Sequence, residues 1–109
     1  MTEEELFENV RNAAGKLGGW RLYHTRDSRR SDFGFPDLVL VSRSRGRLLF
    51  VELKSEVGRL RPQQKDWLVD LETVGLRDNE HETPSYWMPE VYLWRPRQWI
   101  DGTIEGKLR

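Results

Sequence analysis

Two apolar stretches, GFPDLVLV at residues 34–41 and LLFVELK at residues 48–54, determine the fold that the chain is expected to adopt. Each is apolar at successive positions, which is typical of a strand buried on both faces. The intervening residues 42–47 are polar apart from one glycine and have the length of a hairpin connection. The sequence therefore predicts an antiparallel pair of buried strands in which Val41 lies opposite Leu48.

This pairing brings three charged residues to one end of the hairpin. In that register Asp37 lies opposite Glu52, and residues in such positions have Cβ atoms about 5 Å apart. Lys54 follows Glu52 by two positions and therefore lies on the same face of the strand. Two carboxylates this close repel each other unless a cation lies between them. In a chain without cysteine, all-oxygen ligation selects a hard ion such as Mg²⁺ or Mn²⁺.

The same residues suggest a reaction at phosphorus. A hard ion binds substrate phosphate and activates water, and Lys54 would orient that water or neutralise the developing charge. The carbonyl of Leu53 is expected to be a further ligand. The alternative is that Glu52 and Lys54 form an ordinary exposed cross-strand pair, but their apolar surroundings favour a site.

The composition indicates one domain over residues 1–109, of α/β or α+β class, with 33% charged and 37% apolar residues. No apolar run is long enough for a membrane span and no signal peptide opens the chain, so no membrane partner is expected. The absence of cysteine predicts a cytoplasmic location, in the host cell if a phage encodes the protein. A net charge of zero argues against a simple basic nucleic-acid binder.

Helical and extended patterns flank the hairpin. Thr2 followed by three glutamates indicates a helix start, and Gly18-Gly19 indicates its end. Two further strands are predicted, over residues 20–24 and 90–94. A second helix is predicted to begin at Pro62 and to end at Gly75 as its C-cap, with an apolar stripe of Trp67, Leu68, Leu71 and Val74. A short helix or turn over 97–104 is expected to pack Trp99 and Ile100 on the core. Residues 77–89 are expected to form a long loop.

Two polar segments are candidates for binding a nucleic-acid backbone. The loop at 25–34 is rich in arginine and serine, residues that bind phosphates through guanidinium forks and hydroxyls, and the connection at 55–62 is basic. The side chains expected to contact nucleic acid are His24, Arg26, Ser28, Arg29, Arg30, Ser31, Arg59 and Arg61. For the loop, the alternative is a solvated surface loop without a ligand. For His24, substrate contact or loop ordering is expected instead of metal ligation.

Pro36-Asp37, a spacer of fourteen residues and Glu52-Leu53-Lys54 resemble the PD-(D/E)XK nuclease motif. More widely, the chain resembles the stand-alone VRR-NUC (virus-type replication-repair nuclease) domains of phages and bacteria. The stretches that match are residues 19–20, 23–25, 27–31, 34–40, 51–54, 58–60, 62–64 and 94–96. They occur in order and extend over about residues 3–100.

The resemblance implies an α/β fold of restriction-endonuclease type, a mixed central sheet flanked by helices, that hydrolyses DNA phosphodiesters with Mg²⁺ or Mn²⁺. It implies that Asp37 and Glu52 hold the metal and that Lys54 is catalytic. A glutamate on the first helix would complete the metal site and the catalytic set. By spacing this is Glu5, with Glu8 as the alternative.

Gln64 matches the family's glutamine on the helix after the motif, where it would support Lys54 or contact the scissile phosphate. Its alternative role is to cap that helix. Small stand-alone members resemble Holliday-junction resolvases that act as homodimers, since two symmetric sites cut two symmetric strands. The C-terminal aromatic residues would then form a dimer surface, or alternatively core.

The chain is thus expected to be a structure-specific DNA endonuclease, acting as a homodimer on branched DNA. The alternatives are a nonspecific or sequence-specific nicking enzyme or exonuclease, and a non-catalytic DNA-binding module on the same fold. The preferred DNA structure, the cleavage position and the biological pathway do not follow from the sequence.

Overall fold

A four-stranded mixed sheet with helices against its faces forms the body of the protein in the computed structural model, which describes residues 1–25, 32–76 and 88–109. The elements are α1 (Glu3–Leu17), β1 (Arg21–His24), β2 (Leu38–Ser42), β3 (Arg47–Leu53), α2 (Pro62–Leu76), β4 (Glu90–Trp94), α3 (Pro96–Ile100) and α4 (Thr103–Leu108). The strand order is β1-β2-β3-β4, with β4 parallel to β3 and the other pairs antiparallel. The predicted α/β architecture is confirmed.

The β2–β3 hairpin has the predicted register. Val41 pairs with Leu48, and Leu38 pairs with Val51. Continuing the register by one residue places Asp37 opposite Glu52, just beyond the end of β2. The predicted convergence of the two carboxylates therefore follows from the observed pairing.

One face of the sheet is fully covered. The Thr2 hydroxyl accepts a hydrogen bond from the Glu5 backbone N–H, and the Glu5 carboxylate accepts one from the Thr2 N–H, so α1 begins with a capping box. The apolar side of α1 then packs against alternate residues of β2 and β3 and against the C-terminal helices. The side chains buried in this core are Leu6, Phe7, Val10, Ala14, Leu38, Leu40, Leu49, Val51, Leu53, Trp94, Ile104 and Leu108.

The second face is only partly covered, so the expectation that both strands are buried on both faces is wrong there. The helix α2 packs against β4. Its Trp67 contacts Phe35 edge to face at 5.1 Å between ring centroids, and Phe35 contacts Phe50 of β3 at 6.3 Å. Farther from α2 this face is more open, and Val41 and Leu48 remain 41% and 37% exposed.

The helix ends differ from prediction in two places. The helix α2 continues to Leu76, past Gly75, and Val74 of its predicted apolar stripe is 66% exposed. The predicted single C-terminal element is two helices, since Gly102 adopts a left-handed conformation with φ of 85° that no α-helix accommodates. Trp99 packs against the core as predicted, but Ile100 is 76% exposed.

The C-terminal aromatic residues belong to the core. Trp94 is buried, and Tyr92 and Trp99 pack against the same cluster. For these three residues the packing supports the alternative that they belong to the core, although Tyr92 and Trp99 remain partly exposed. Most of the predicted loop, residues 77–87, lies outside the described residues. None of the helices in the described ranges combines the length and apolar character that crossing a membrane requires.

A tight turn before β2 fits closely against the start of α2. Gly34 has φ of +91°, and a Cβ at this position would lie 2.7 Å from the backbone carbonyl carbon of Gln63. Such an approach is possible only for a residue without a side chain. The turn is thereby fixed relative to α2, two residues before Pro36 and the site-forming Asp37.

We expect Gly34→Ala to lower the free energy of unfolding by at least about 3 kcal/mol, because it adds overpacking to the strain of a left-handed residue. The matched control is Gly46→Ala, where φ is also positive, at +64°, but nothing lies within 4 Å of the added Cβ. That variant should lose only about 1–2 kcal/mol. Urea unfolding of the two variants and wild type measures both values, and equal losses would contradict the close packing at Gly34.

Candidate active site

Asp37 is held from both neighbouring strands at the end of the sheet. Its Oδ2 accepts a hydrogen bond of 2.8 Å from the backbone N–H of Leu53, and its carbonyl accepts one of 2.9 Å from the N–H of Thr25. The hydroxyl of Thr25 also donates to the carbonyl of Pro36, which is buried. The backbone of Asp37 is therefore fixed by Thr25, the residue after β1, and its carboxylate by Leu53 of β3.

Glu52 is an acid buried almost completely, with 1% of its surface exposed. Burial, followed by the hydrogen bond to Asp37 and that residue's charge, raises the pKa of Glu52 to about 9, while the Lys54 ammonium partly offsets this. Its Oε2 has no hydrogen-bond partner among the described residues. A buried acceptor without a hydrogen bond destabilises the folded state. This oxygen is therefore free to accept a hydrogen bond or to bind a cation at the site.

Two clefts meet at Asp37. One, of about 510 Å³, lies beside the first turns of α1 and is here called the acidic cleft. It is lined by Glu3, Glu4, Phe7, Glu8, Arg11, His24, Asp37 and Leu53. Four of these eight residues are acids, so this side of Asp37 favours a cation.

The other cleft has a volume of about 250 Å³, is lined in part by Lys54, and is here called the lysine cleft. It is lined by Thr25, Asp32, Phe33, Gly34, Phe35, Asp37, Lys54, Arg61 and Gln64. The structure thus brings Asp37, Lys54 and Gln64 to one cleft together with Arg61, which the sequence predicted to contact nucleic acid. Lys54 and Arg61 are cations suited to an anionic group beside the carboxylates.

The two first-helix candidates differ in position. The Glu5 carboxylate is engaged in the capping box, where the Thr2 backbone hydrogen bond lowers its pKa, and Glu5 lines neither cleft. Glu8 lines the acidic cleft, one turn after Glu4 on the same side of α1. The structure therefore brings the alternative, Glu8, toward Asp37, and it does not bring Glu5 there.

Gln64 has the capping role that was the alternative reading of its position. Its Oε1 accepts a hydrogen bond of 2.8 Å from the backbone N–H of Arg61, immediately before α2. Because Gln64 also lines the lysine cleft, its amide group lies close enough to contact a substrate there. Arg59 is exposed and lines neither cleft.

His24 lies in the acidic cleft with its ring stacked on Phe7 at 3.9 Å between centroids. This position is compatible with a contact to substrate in the cleft. Of the other residues predicted to bind nucleic acid, five lie outside the described residues: Arg26, Ser28, Arg29, Arg30 and Ser31.

A family model described as the VRR-NUC domain matches residues 2–80. The chain belongs to the VRR-NUC domain family. VRR-NUC is a nuclease family, so the carboxylates and Lys54 belong to a nuclease domain whose substrate is DNA. No curated protein and no solved structure was found to match the chain.

Arg95, which was not identified from the sequence, stabilises the turn next to the candidate site. The Arg95 Nη1 donates hydrogen bonds to the carbonyls of Ser55 at 2.6 Å and Gly58 at 2.7 Å. It thereby closes the turn that directly follows Lys54, whose own N–H donates to the carbonyl of Trp94. The signal was present, because Trp94-Arg95-Pro96 was among the stretches that resemble the family.

The residues of this VRR-NUC domain fit a hard divalent ion. In the described ranges no three His, Asp or Glu side chains are close enough together to hold a metal by themselves. Mg²⁺ and related ions need only one or two carboxylates, because waters and substrate phosphates complete the coordination. Asp37 and Glu52, with the partnerless Glu52 oxygen, provide such a pair.

We expect the metal-free protein to lose stability as pH rises from 5 to 8, by up to about 1.4 kcal/mol per pH unit for one proton. The reason is that Glu52 keeps its proton up to a pKa of about 9 in the folded chain but releases it near 4.5 when unfolded. Glu52→Gln should reduce this slope and be more stable than wild type at pH 8. Urea unfolding in EDTA measures both effects.

The matched control is Glu72→Gln, because Glu72 is an exposed acid on α2 and its removal should leave the wild-type slope unchanged. Identical slopes for wild type and Glu52→Gln would contradict the description of Glu52 as a strained buried acid.

Proposed function

We propose that this VRR-NUC domain is a divalent-metal-dependent, structure-specific DNA endonuclease that hydrolyses phosphodiester bonds. The observation that carries the proposal is the buried Glu52, whose Oε2 has no partner in the described chain, next to Asp37. Asp37 lines both the acidic cleft and the lysine cleft, and Glu52 lies buried beside it, so a cation and a phosphate would be bound side by side.

Asp37 and Glu52 would hold Mg²⁺ or Mn²⁺ at this junction of clefts. Glu8, in preference to Glu5, is the proposed first-helix carboxylate, and it would reach the ion through one of the bound waters, because no three acidic or histidine side chains of the described ranges converge. The carbonyl of Leu53 is a further candidate ligand. When bound, such an ion polarises a phosphoryl oxygen and lowers the pKa of its water, which supplies the nucleophile.

The lysine cleft would bind the scissile phosphate. The Lys54 ammonium would orient the attacking water or neutralise charge that develops on the phosphate oxygens. Arg61 would bind the adjacent backbone through its guanidinium fork, and the Gln64 amide would contact the same phosphate while its oxygen caps α2. The hydrogen bonds from Leu53 to Asp37 and from Arg95 to the 55–58 turn would keep these groups in place.

Branched DNA is the proposed substrate, bound by a homodimer that presents two symmetric active sites to two symmetric strands. The net charge of zero supports dependence on DNA structure, because nonspecific affinity for DNA is mostly electrostatic. The partly exposed sheet face at Tyr23, Val41 and Leu48 is the proposed surface for pairing of two protomers, in place of the C-terminal aromatics that pack against the core.

We expect Asp37→Asn, Glu52→Gln and Lys54→Met each to reduce metal-dependent cleavage by at least about 100-fold, because each removes a group that faces the reacting phosphate or its ion. Glu8→Gln should reduce the rate clearly, whereas Glu5→Gln, which keeps an N-terminal cap, should not. End-labelled DNA with Mg²⁺, Mn²⁺ or EDTA provides the assay. Wild-type cleavage by the Glu52 variant would refute the proposed site.

We expect wild type to cut a four-way junction faster than a flap, linear duplex or single strand, with paired cuts placed symmetrically about the branch point. Two symmetric sites on one dimer are the physical reason. Mapping the cuts on a sequencing gel tests this, with light scattering to give the oligomeric state. Equal cleavage of all four substrates would retain the nuclease and reject the structure specificity.

A further inference from the structure

Phe33 exposes an aromatic ring at the edge of the lysine cleft. Its side chain is 52% exposed, although it lies only four residues before Asp37. The turn that presents it is fixed, because Gly34 packs against the backbone of Gln63 and the Phe35 N–H donates to the Asp32 carbonyl. An exposed aromatic ring therefore lies on a fixed turn at the edge of the proposed phosphate site.

Arg61 lies over the same ring. Its guanidinium carbon is 5.9 Å from the ring centroid, within the range of a cation–π contact. Arg61 also lines the lysine cleft next to Lys54, so the arginine joins the proposed phosphate site to the aromatic ring. An aromatic ring beside a backbone-binding arginine is a combination found where proteins bind unpaired nucleotides.

A second depression adjoins Phe33 away from the catalytic residues. This depression, here called the tryptophan pocket, has a volume of about 230 Å³ and is lined by Phe33, Gln63, Asp66, Trp67 and Asp70. Trp67 is held in position by its edge-to-face contact with Phe35. The two aspartates would repel a phosphate, but they accept hydrogen bonds from the amino groups at the edges of nucleobases.

We propose that Phe33 and the tryptophan pocket form a subsite for one unpaired nucleobase, which stacks on Phe33 while its neighbouring phosphate enters the lysine cleft. A base in a duplex is covered on both faces by its neighbours, so only an unpaired or extruded nucleotide can use this ring. The subsite selects DNA in which a nucleotide beside the cleaved bond is unpaired or is extruded on binding, and at a four-way junction the extruded nucleotide would come from the branch point. It rests on the proposed nuclease function and explains how such an enzyme recognises branch points.

The test combines Phe33→Ala with the removal of single bases from the substrate. Cut sites on a branched substrate are mapped with wild type, and an abasic residue is then placed at each of the three nucleotides on either side. At one position the missing base should slow wild-type cleavage about tenfold, as the loss of one stacked base predicts. Phe33→Ala should slow cleavage of intact DNA to a similar extent, yet cut that abasic substrate as fast as wild type does.

Phe33→Trp should restore the rate on intact DNA because it restores a stacking surface. Ile100→Ala is the control for loss of an exposed apolar side chain outside both clefts, and it should cut like wild type. Thermal unfolding of each variant confirms that it is folded. If Phe33→Ala slows intact and abasic DNA by the same factor at every position, Phe33 acts only structurally and the subsite is refuted.

A binding measurement separates failure of the subsite from failure of the nuclease. Glu52→Gln protein is titrated into single-stranded oligonucleotides that contain 2-aminopurine at successive positions. Stacking on Phe33 should quench the fluorescence at one position, and the double variant Glu52→Gln/Phe33→Ala should not quench it. Quenching without wild-type cleavage of any DNA would reject the nuclease and retain the subsite, whereas no Phe33-dependent quenching would overturn the subsite even if cleavage is observed.

Discussion

The hydrogen bond from the Leu53 N–H to the Asp37 carboxylate is the interaction on which the candidate site depends. It continues the β2–β3 register beyond Leu38 and Val51, which are the last paired residues of the ladder at this end. A shift of one residue in this register would turn every side chain of one strand to the opposite face, separating Asp37 from Glu52. The large apolar residues of both strands resist such a shift because they would leave the core.

This register has an electrostatic consequence. It places the buried Glu52 next to a second carboxylate, and both burial and Asp37 raise its pKa. A fold selected only for stability would replace such a pair with apolar residues, since unpaired buried acids destabilise the folded state. The Arg95 contacts, which order the turn after Lys54, and the capping by Gln64 likewise fix polar groups around the site. The buried carboxylate pair is thus expected to lower stability at the candidate site.

The sheet is asymmetric, and the asymmetry separates the structural half of the protein from the half available for binding. The face under α1 forms the core, whereas the opposite face has α2 over β4 and open surface toward β1. Phe33 and the lysine cleft lie on the α2 side, near the end of the sheet where Asp37 directly precedes β2. The proposed phosphate site, base subsite and dimer surface therefore lie on elements that the core does not need to cover.

By itself the sequence determined the local elements, the hairpin register and the meeting of Asp37, Glu52 and Lys54, because strand alternation and hairpin length act between near neighbours. Only the tertiary structure decided that Glu8, and not Glu5, lines the acidic cleft, since both border the apolar stripe of α1 and only packing fixes the helix rotation. It also decided that Val41 and Leu48 stay partly exposed and that Phe33 faces Arg61. These outcomes depend on contacts between segments distant in sequence, which no local pattern of residues specifies.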